Sequence, residues 1–376
     1  AAKADSVQQR RPNVVLIMME SMSSKLMKHF GQSETLTPFL DSLYTRSISF
    51  RNFYSAGIHT NHGLYATLYS FPAMMKRNLM KGSVIPRYSG LPTVLKENGY
   101  YNLFFMTHEG QYDNMNAFFR TNGYDEVFSQ EDYPADKVVN SFGVQDDFLY
   151  DYAIPVLNQR AATGQPFFAT LLSISNHPPY VIPPFFHPKT SEPETQIVEY
   201  ADWALRQFFE EARKQPWFDN TIFVLEGDHG KLVGDAECEL PESYNHIPLM
   251  IYSSRIQPEE KTAFGGQVDI QPTILGLLNI DYLQNNFGVD LLKEERPCMF
   301  YTADNMVVGR NDTLLYLYNY ETQQELTYDI GNGKLNAVPM DDSFLPLKEY
   351  SFSMLQSAEF LVKHGKTLNS IPFTQQ

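Results

Sequence analysis

Short apolar runs that stop at polar residues constrain the fold of this chain more than any other feature. They occupy residues 13–19, 101–106, 166–174 and 221–225 and are rich in branched and aromatic side chains. The last run is too short to be a helix, and such continuous runs are typical of strands buried on both faces. Helical patterns alternate with the runs, which predicts an α/β fold with a mostly parallel central sheet and helices on both faces.

The run at 221–225 is followed by Glu226-Gly-Asp228-His229-Gly, which sets a carboxylate and an imidazole side by side at a strand end. Open α/β sheets bind ligands outside the carboxyl ends of their strands. Asp228 and His229 form a mixed oxygen and nitrogen donor set, which suits a divalent metal such as Zn²⁺ or Mn²⁺. The alternative is a turn in which Asp228 only caps the next segment.

Glu20 stands directly after the run at 13–19. If this strand neighbours the strand at 221–225, the Glu20 carboxylate lies where Asp228 lies, because parallel strands end at the same edge of a sheet. The alternative is that Glu20 faces solvent at the mouth of the strand.

Thr60 lies between two glycines and beside two imidazoles, close to the start of a helix expected over residues 64–68. Helix N-termini present free N–H groups and a positive dipole to anions. A threonine hydroxyl there is well placed as a nucleophile if a metal lowers its pKa. The alternative is that Thr60 is a simple N-cap.

His177 follows the run at 166–174 and is a candidate phosphate ligand or general acid. The alternative is a histidine hydrogen-bonded within a proline-stiffened loop. Loops at this edge of a sheet usually set the choice of substrate. We therefore expect substrate contacts from polar side chains around Thr60, after the run at 101–106 and before a later strand: His59, Asn61, His108, Asp113, Asn116 and His246.

Composition narrows the partners of the chain. With 376 residues, 43% of them hydrophobic, it can bury a large core. A net charge of −15 argues against binding nucleic acid through bulk electrostatics, although a local pocket for an anionic substrate remains compatible with it. Cys238 and Cys298 lack CxxC spacing, which excludes a cysteine-based metal site and leaves their pairing open. No apolar run reaches the ~18 residues of a membrane span, and no signal peptide is visible.

The pattern of apolar and polar residues changes near Cys298. Short alternating runs separated by Asn-Asp and Gly-Asn-Gly turns predict antiparallel strands, and a last helix is expected over residues 347–363. We therefore predict a main domain over residues 12–295 and a small C-terminal α+β subdomain over residues 296–376, packed on the edge of the main sheet.

Motifs at the predicted strand ends occur in a fixed order: Glu20-Ser, Gly57-Ile-His-Thr60, Ser175-Asn-His177-Pro, Glu226-Gly-Asp228-His229-Gly and His246-Ile-Pro-Leu. Together they resemble the lipoteichoic acid synthase-like phosphoglycerol transferases, a branch of the alkaline phosphatase/sulfatase superfamily. The resemblance covers residues 12–295 and makes this the catalytic domain.

The resemblance implies one divalent metal, Mn²⁺ before Zn²⁺ or Mg²⁺, held by Glu20, Thr60, Asp228 and His229. Thr60 would attack the phosphorus of a lipid-borne phosphoglycerol, such as that of phosphatidylglycerol, and form a phospho-threonine intermediate. A glycan or polyol-phosphate acceptor would then take the group, and His177 would contact the phosphate or protonate a leaving oxygen. The resemblance also implies an extracytoplasmic site in the cell envelope, at a membrane surface, with a membrane anchor preceding residue 1.

One comparison with the family narrows the branch, and a second bears on the donor. Sulfatases mature a Cys or Ser within a Cys/Ser-x-Pro-x-Arg motif, which residues 60–63 lack. The substrate-binding Trp and Arg of the synthases have no match in residues 113–116, which leaves the donor headgroup open. A hydrolase of the same fold, acting on phosphodiesters, phosphonates or sulfate esters, is the second hypothesis. A non-catalytic module that senses a lipid or glycan is the third.

Overall fold

The computed structural model describes residues 11–331 and 333–369 and confirms the α/β fold with a mostly parallel central sheet. The strands of this sheet are β1 (Asn13–Met19), β2 (Ile48–Tyr54), β3 (Tyr101–Phe105), β4 (Glu126–Phe128), β5 (Phe167–Leu172), β6 (Thr221–Gly227), β7 (Leu249–Tyr252) and β8 (Glu259–Gly266).

Strand order determines which loops meet at the carboxyl edge of the sheet. The order is β4-β3-β5-β1-β6-β7-β2-β8, and the pairs from β4 to β6 are all parallel. Strand β7 runs antiparallel to both of its neighbours, whereas β2 and β8 pair in parallel. Strand β1 therefore lies between β5 and β6, and its end pairs in register with both: Met18 with Leu172, and Met19 with Gly227.

Helices cover both faces of the sheet: α1 (Pro38–Tyr44), α2 (Thr60–Tyr69), α3 (Leu91–Glu97), α4 (Met115–Thr121), α5 (Asp146–Ala162), α6 (Pro193–Ala212) and α7 (Ile270–Leu277). Helices α1, α5 and α6 pack on one face, and α2, α3, α4 and α7 on the other. Alternate side chains of β1 enter opposite cores, so this strand is apolar throughout. In the described ranges, no helix has the length and hydropathy needed to cross a bilayer.

The C-terminal part forms a second, antiparallel sheet: β9 (Met299–Thr302), β10 (Met306–Arg310), β11 (Leu314–Asn319), β12 (Gln324–Gly331) and β13 (Lys334–Ala337). Helix α8 (Leu345–Lys363) packs across it. The sheet shares an apolar cluster with β2 and β8. In this cluster Tyr301 stacks on Tyr54, the last residue of β2, at 5.4 Å between ring centroids. The predicted boundary near residue 295 stays a prediction, and residues 370–376 of the predicted subdomain lie outside the described residues.

The two cysteines do not pair. Cys238 and Cys298 are both free thiols, so no disulfide links the C-terminal part to the main sheet within the part of the chain that the structure describes. Polar contacts and packing therefore hold the two parts together. Burial raises the pKa of both thiols, to about 11 for Cys238, which keeps them in the less reactive protonated form at neutral pH.

Arg296 joins the chain just before β9 to the main domain through a buried ion pair. Its guanidinium donates to both oxygens of Asp269, at 2.6 Å from Nη2 and 2.9 Å from Nε, and to the carbonyl oxygen of Phe287. Nη1 also donates to the hydroxyl of Tyr350 on α8. The Arg296 side chain is 10% exposed and that of Asp269 is not exposed. Truncating one partner would leave the other charge buried and uncompensated.

We expect Arg296→Ala to lower the free energy of unfolding by about 3–5 kcal/mol, because the Asp269 carboxylate loses its counter-charge. Urea denaturation followed by circular dichroism measures the change. Lys293→Ala is the matched control, since the Lys293 side chain is 69% exposed in its pair with Asp290. Its effect should stay within about 0.5 kcal/mol. Equal effects of the two substitutions would contradict a structural role for the buried pair.

Candidate metal centre

Glu20, Asp228 and His229 meet where β1 and β6 end. The pairing of Met19 with Gly227 places the residues that follow them side by side. One ligand atom from each of the three residues lies within 4.8 Å of the others. His229 Nε2 is 3.7 Å from Glu20 Oε1 and 3.6 Å from Asp228 Oδ2, and neither carboxylate is exposed. The structure thus brings together three of the four residues that the resemblance implies as metal ligands.

Hydrogen bonds orient the two carboxylates but leave one oxygen free. The backbone N–H groups of Ser21 and His229 donate to Asp228 Oδ1, at 2.8 and 2.7 Å. The Ser21 hydroxyl donates to Glu20 Oε1 at 2.6 Å. Asp228 Oδ2 is buried and has no hydrogen-bond partner among the described residues. An unsatisfied buried polar atom costs about 1–3 kcal/mol, so this oxygen fits a site that a cation completes.

The charge and tautomer of the cluster also fit a divalent cation. Burial raises the pKa of the Glu20 carboxyl well above its usual range, and the neighbouring Asp228 carboxylate raises it further. The Nδ1–H of His229 donates to the carbonyl oxygen of Gly230 at 2.7 Å. In the neutral ring the lone pair is then on Nε2, which is the ring nitrogen that approaches the two carboxylates. Two carboxylates and one imidazole suit Mn²⁺ or Zn²⁺.

Thr60 is the first residue of α2, and His59 occupies the N-cap position instead. The helix therefore begins four residues before the predicted start at 64, and Thr60 is not an N-cap. Thr60 Oγ1 lies 3.4 Å from Glu20 Oε2, which places the predicted nucleophile beside the carboxylates. Gly63 allows this approach, since a Cβ there would meet the carbonyl oxygen of Asp228 at 2.3 Å.

Gln267 is a contributor to this site that sequence reasoning missed. Its Nε2 donates to the carbonyl oxygens of Gly227 and Asp228, at 3.1 and 2.8 Å, and its Oε1 accepts from the backbone N–H of Ala56. The side chain therefore ties the end of β6 to the loop that leads to Thr60. It lies about 40 positions from Asp228 in a segment with no distinctive pattern, so only the fold reveals it.

His177 and His108 share one hydrogen-bonding pattern. The Nδ1–H of His177 donates to the carbonyl oxygen of Pro178 at 2.6 Å, and that of His108 donates to Glu109 at 3.1 Å. On each ring Nε2 is therefore the atom free to accept a proton when the ring is neutral and to pass one on when it is protonated. Burial lowers the pKa of His108, which favours its neutral form. The ring of Phe142 packs on His177 at 4.1 Å between centroids.

Asn61 and Asp113 meet next to Thr60, whereas Asn116 is engaged elsewhere. Asn61 Nδ2 donates to Asp113 Oδ2 at 3.2 Å, and Lys81 Nζ lies 2.7 Å from Asp113 Oδ1. Asn116 Oδ1 accepts from Arg120 Nε one turn along α4. An amide on α2 and an acid in the loop before α4 therefore stand near the predicted nucleophile.

His59 and His246 each contact a different part of the molecule. His59 Nε2 is 2.7 Å from Asp304 Oδ1, which links the loop before Thr60 to the C-terminal sheet. His246 Nε2 donates to the carbonyl oxygen of Arg51 at 2.7 Å, and its ring stacks on Tyr54. Burial lowers the pKa of His246 to about 4, so it is neutral at physiological pH. The structure thus places His246 in an aromatic cluster and not among the carboxylates.

The family of the chain follows from comparison with known proteins. The family named Sulfatase matches residues 12–280, and the chain therefore belongs to it. Lipoteichoic acid synthase 2 of Bacillus subtilis (strain 168) is 25% identical over 315 residues, which cover 75% of this chain and 47% of that protein. Lipoteichoic acid synthase 1 of the same strain is 25% identical over 350 residues, 86% of this chain and 53% of that protein. The chain spans about half the length of these relatives.

Solved structures agree with this family. A protein of the alkaline phosphatase superfamily from Vibrio parahaemolyticus superposes with a TM-score of 0.85 at 27% identity, covering 95% of this chain and 88% of that one. The lipoteichoic acid synthase LtaP from Listeria monocytogenes superposes with a TM-score of 0.80 at 21% identity, covering 94% and 93%, which shows a shared fold. The resemblance that the motifs predict is confirmed.

We expect Mn²⁺ to raise the melting temperature of the metal-free chain by a few degrees, because a ligand at 100 times its Kd adds about 2.7 kcal/mol. Asp228→Asn should abolish this rise. In the metal-free protein the same substitution should stabilise the fold, since it removes the repulsion between Asp228 and Glu20 while its amide oxygen still accepts the two backbone N–H groups. Differential scanning calorimetry measures both changes in melting temperature.

The exposed Asp235 supplies the control for that experiment. Asp235→Asn removes the same charge and should keep the response to Mn²⁺. A metal response that survives in Asp228→Asn would contradict the assignment of this carboxylate as a ligand.

Proposed function

We propose that this chain is the catalytic domain of a metal-dependent transferase that moves a phosphoglycerol, or a related phospho-alcohol, from a membrane lipid to a glycan or polyol-phosphate acceptor. One observation carries the proposal: the hydroxyl of Thr60 lies 3.4 Å from Glu20, within a buried cluster that fits a divalent cation. The similarity to lipoteichoic acid synthases supports the choice of transferred group.

Glu20, Thr60, Asp228 and His229 would hold the cation, with Mn²⁺ preferred over Zn²⁺ or Mg²⁺. When bound, it supplies positive charge that lowers the pKa of a hydroxyl and neutralises a transferring phosphoryl group. The first N–H groups of α2 and its dipole favour the same phosphoryl oxygens.

The first step forms the bond between Thr60 Oγ1 and phosphorus and breaks the bond from phosphorus to the lipid oxygen. Glu20 Oε2, 3.4 Å from the hydroxyl, is the nearest acceptor for its proton. The departing diacylglycerol oxygen takes a proton from Nε2 of protonated His177, since Nδ1 is held by Pro178. Phospho-threonine at position 60 and a neutral lipid alcohol result.

The second step reverses these roles. An acceptor hydroxyl gives its proton to Nε2 of His177 and attacks phosphorus. The bond from phosphorus to Thr60 Oγ1 breaks, and Glu20 returns the proton to Oγ1. Water in place of the acceptor alcohol would make the chain a phosphodiesterase, which is the alternative function. The two activities share the first step and differ only in what resolves the phospho-threonine.

Asn61 and Asp113 bear on the donor headgroup. Asp113 Oδ2 accepts from Asn61 Nδ2, which leaves Asn61 Oδ1 without a partner among the described residues. A glycerol hydroxyl is a donor that matches this oxygen. Phosphatidylglycerol is therefore the proposed donor. Because that donor is a lipid, we propose that the domain acts at a membrane surface. The similarity to lipoteichoic acid synthases supports the extracytoplasmic side of the cell envelope.

We expect the chain to gain the mass of one phosphoglycerol after incubation with Mn²⁺ and phosphatidylglycerol vesicles, with the adduct on Thr60. Intact-protein mass spectrometry followed by peptide mapping measures it. Thr60→Ala should show no adduct, whereas Thr60→Ser keeps a hydroxyl and should be labelled.

A glycan or glycerol phosphate acceptor should then remove the adduct faster than buffer does. Faster loss in buffer alone would identify a hydrolase. An adduct of equal size on Thr60→Ala would contradict the assigned nucleophile.

A further inference from the structure

The turn that follows β1 sets the orientation of both carboxylates. Ser21 has a φ of 51°, a left-handed conformation that side-chain-bearing residues seldom adopt. From this position its backbone N–H donates to Asp228 Oδ1 and its hydroxyl donates to Glu20 Oε1. A relaxed backbone at Ser21 would redirect both donors. Something outside the turn must therefore hold it.

Asn176, in the loop after β5, makes that contact. Its Nδ2 donates to the carbonyl oxygens of both Glu20 and Ser21, each at 3.2 Å. The side chain is buried, with 3% of the residue exposed. These two carbonyls flank the strained residue, so one amide group fixes the peptide planes on both sides of it.

Lys231 holds Asn176 in turn. Its Nζ donates to Asn176 Oδ1 at 2.6 Å and to the carbonyl oxygen of Glu194, at the start of α6, at 3.3 Å. The ammonium also lies 5.1 Å from the centroid of the Tyr180 ring. Lys231 can only donate, and the carbonyl oxygens of Glu20 and Ser21 can only accept. Both contacts therefore require the same orientation of the Asn176 amide, with Oδ1 toward Lys231 and Nδ2 toward the turn.

We propose that Lys231 and Asn176 form a brace that positions the Glu20–Ser21 turn for metal binding. The brace crosses three strand ends, since it joins the loop after β6 to the loop after β5 and to the end of β1. It rests on the proposed function, because it presupposes that Glu20 and Asp228 bind a cation. Lys231 acts through Asn176 and is a positioning residue.

The direction in which Lys231→Met changes the affinity for Mn²⁺ separates a positioning role from simple electrostatics. A positive charge near a cation site repels the metal, so removing only the charge of Lys231 should tighten metal binding. Removing the brace should weaken binding, because the turn relaxes and the carboxylates lose their orientation. Lys231→Met does both, and its net effect shows which contribution dominates.

Isothermal titration of the metal-free chain with Mn²⁺ is the test. We expect Lys231→Met and Asn176→Ala each to raise the Kd by about 10-fold or more, a change of about 1.4 kcal/mol. The double variant should bind no more than about 3-fold more weakly than Asn176→Ala, because residues of one network are not additive. Lys231→Arg keeps a donor and a charge and should stay within about 3-fold of wild type.

Controls keep the outcomes distinct. Lys214→Met removes an exposed lysine that pairs with Glu211 and should leave the Kd unchanged. If circular dichroism shows that Lys231→Met does not fold, Asn176→Ala decides alone. Unchanged or tighter Mn²⁺ binding by the folded variants would overturn the brace. Wild-type protein that binds neither Mn²⁺, Zn²⁺ nor Mg²⁺ would instead overturn the metal centre of the proposed function, and the brace with it.

Discussion

Repulsion between two buried carboxylates, Glu20 and Asp228, is the interaction on which the arrangement of the site depends. Charges removed from water are tolerated only when they are paired and hydrogen-bonded. Ser21 donates two hydrogen bonds to the pair and the backbone N–H of His229 donates a third, whereas Asp228 Oδ2 remains without a partner among the described residues. In the proposed metal centre, a divalent cation held by these oxygens and His229 Nε2 would supply the missing charge.

Residues that are distant in sequence hold the carboxyl edge of the central sheet, where Glu20 and Asp228 lie, in place. Gly63 lets α2 approach Asp228, and Gln267 ties the end of β6 to the loop that carries Thr60. The C-terminal sheet supports the same loop, because the backbone N–H of Thr302 donates to the carbonyl oxygen of Ala56. The C-terminal sheet therefore supports the position of the proposed nucleophile. The buried ion pair of Arg296 and Asp269 connects the chain just before β9 to the region of the central sheet.

Local patterns were enough to predict the core strands and the clustering of the residues proposed as metal ligands. Each apolar run of the core became a strand, and residues that follow neighbouring parallel strands must meet, which explains Glu20 beside Asp228. Contacts that depend on side-chain direction could not be predicted in this way. His246 follows the pattern of a strand start, yet its ring turns to Arg51 and Tyr54. Lys231 follows the metal motif but carries no signal of its pairing with Asn176, since that contact exists only after folding.

Anomalous diffraction from crystals grown with Mn²⁺, recorded at the Mn absorption edge, tests the central claim most directly. We expect one strong anomalous peak within about 2.5 Å of Asp228 Oδ2, His229 Nε2, a Glu20 oxygen and Thr60 Oγ1, as oxygen and imidazole ligands require. A map with no peak between the ends of β1 and β6, or with a peak coordinated by other residues, would contradict the assignment of this cluster as the metal centre.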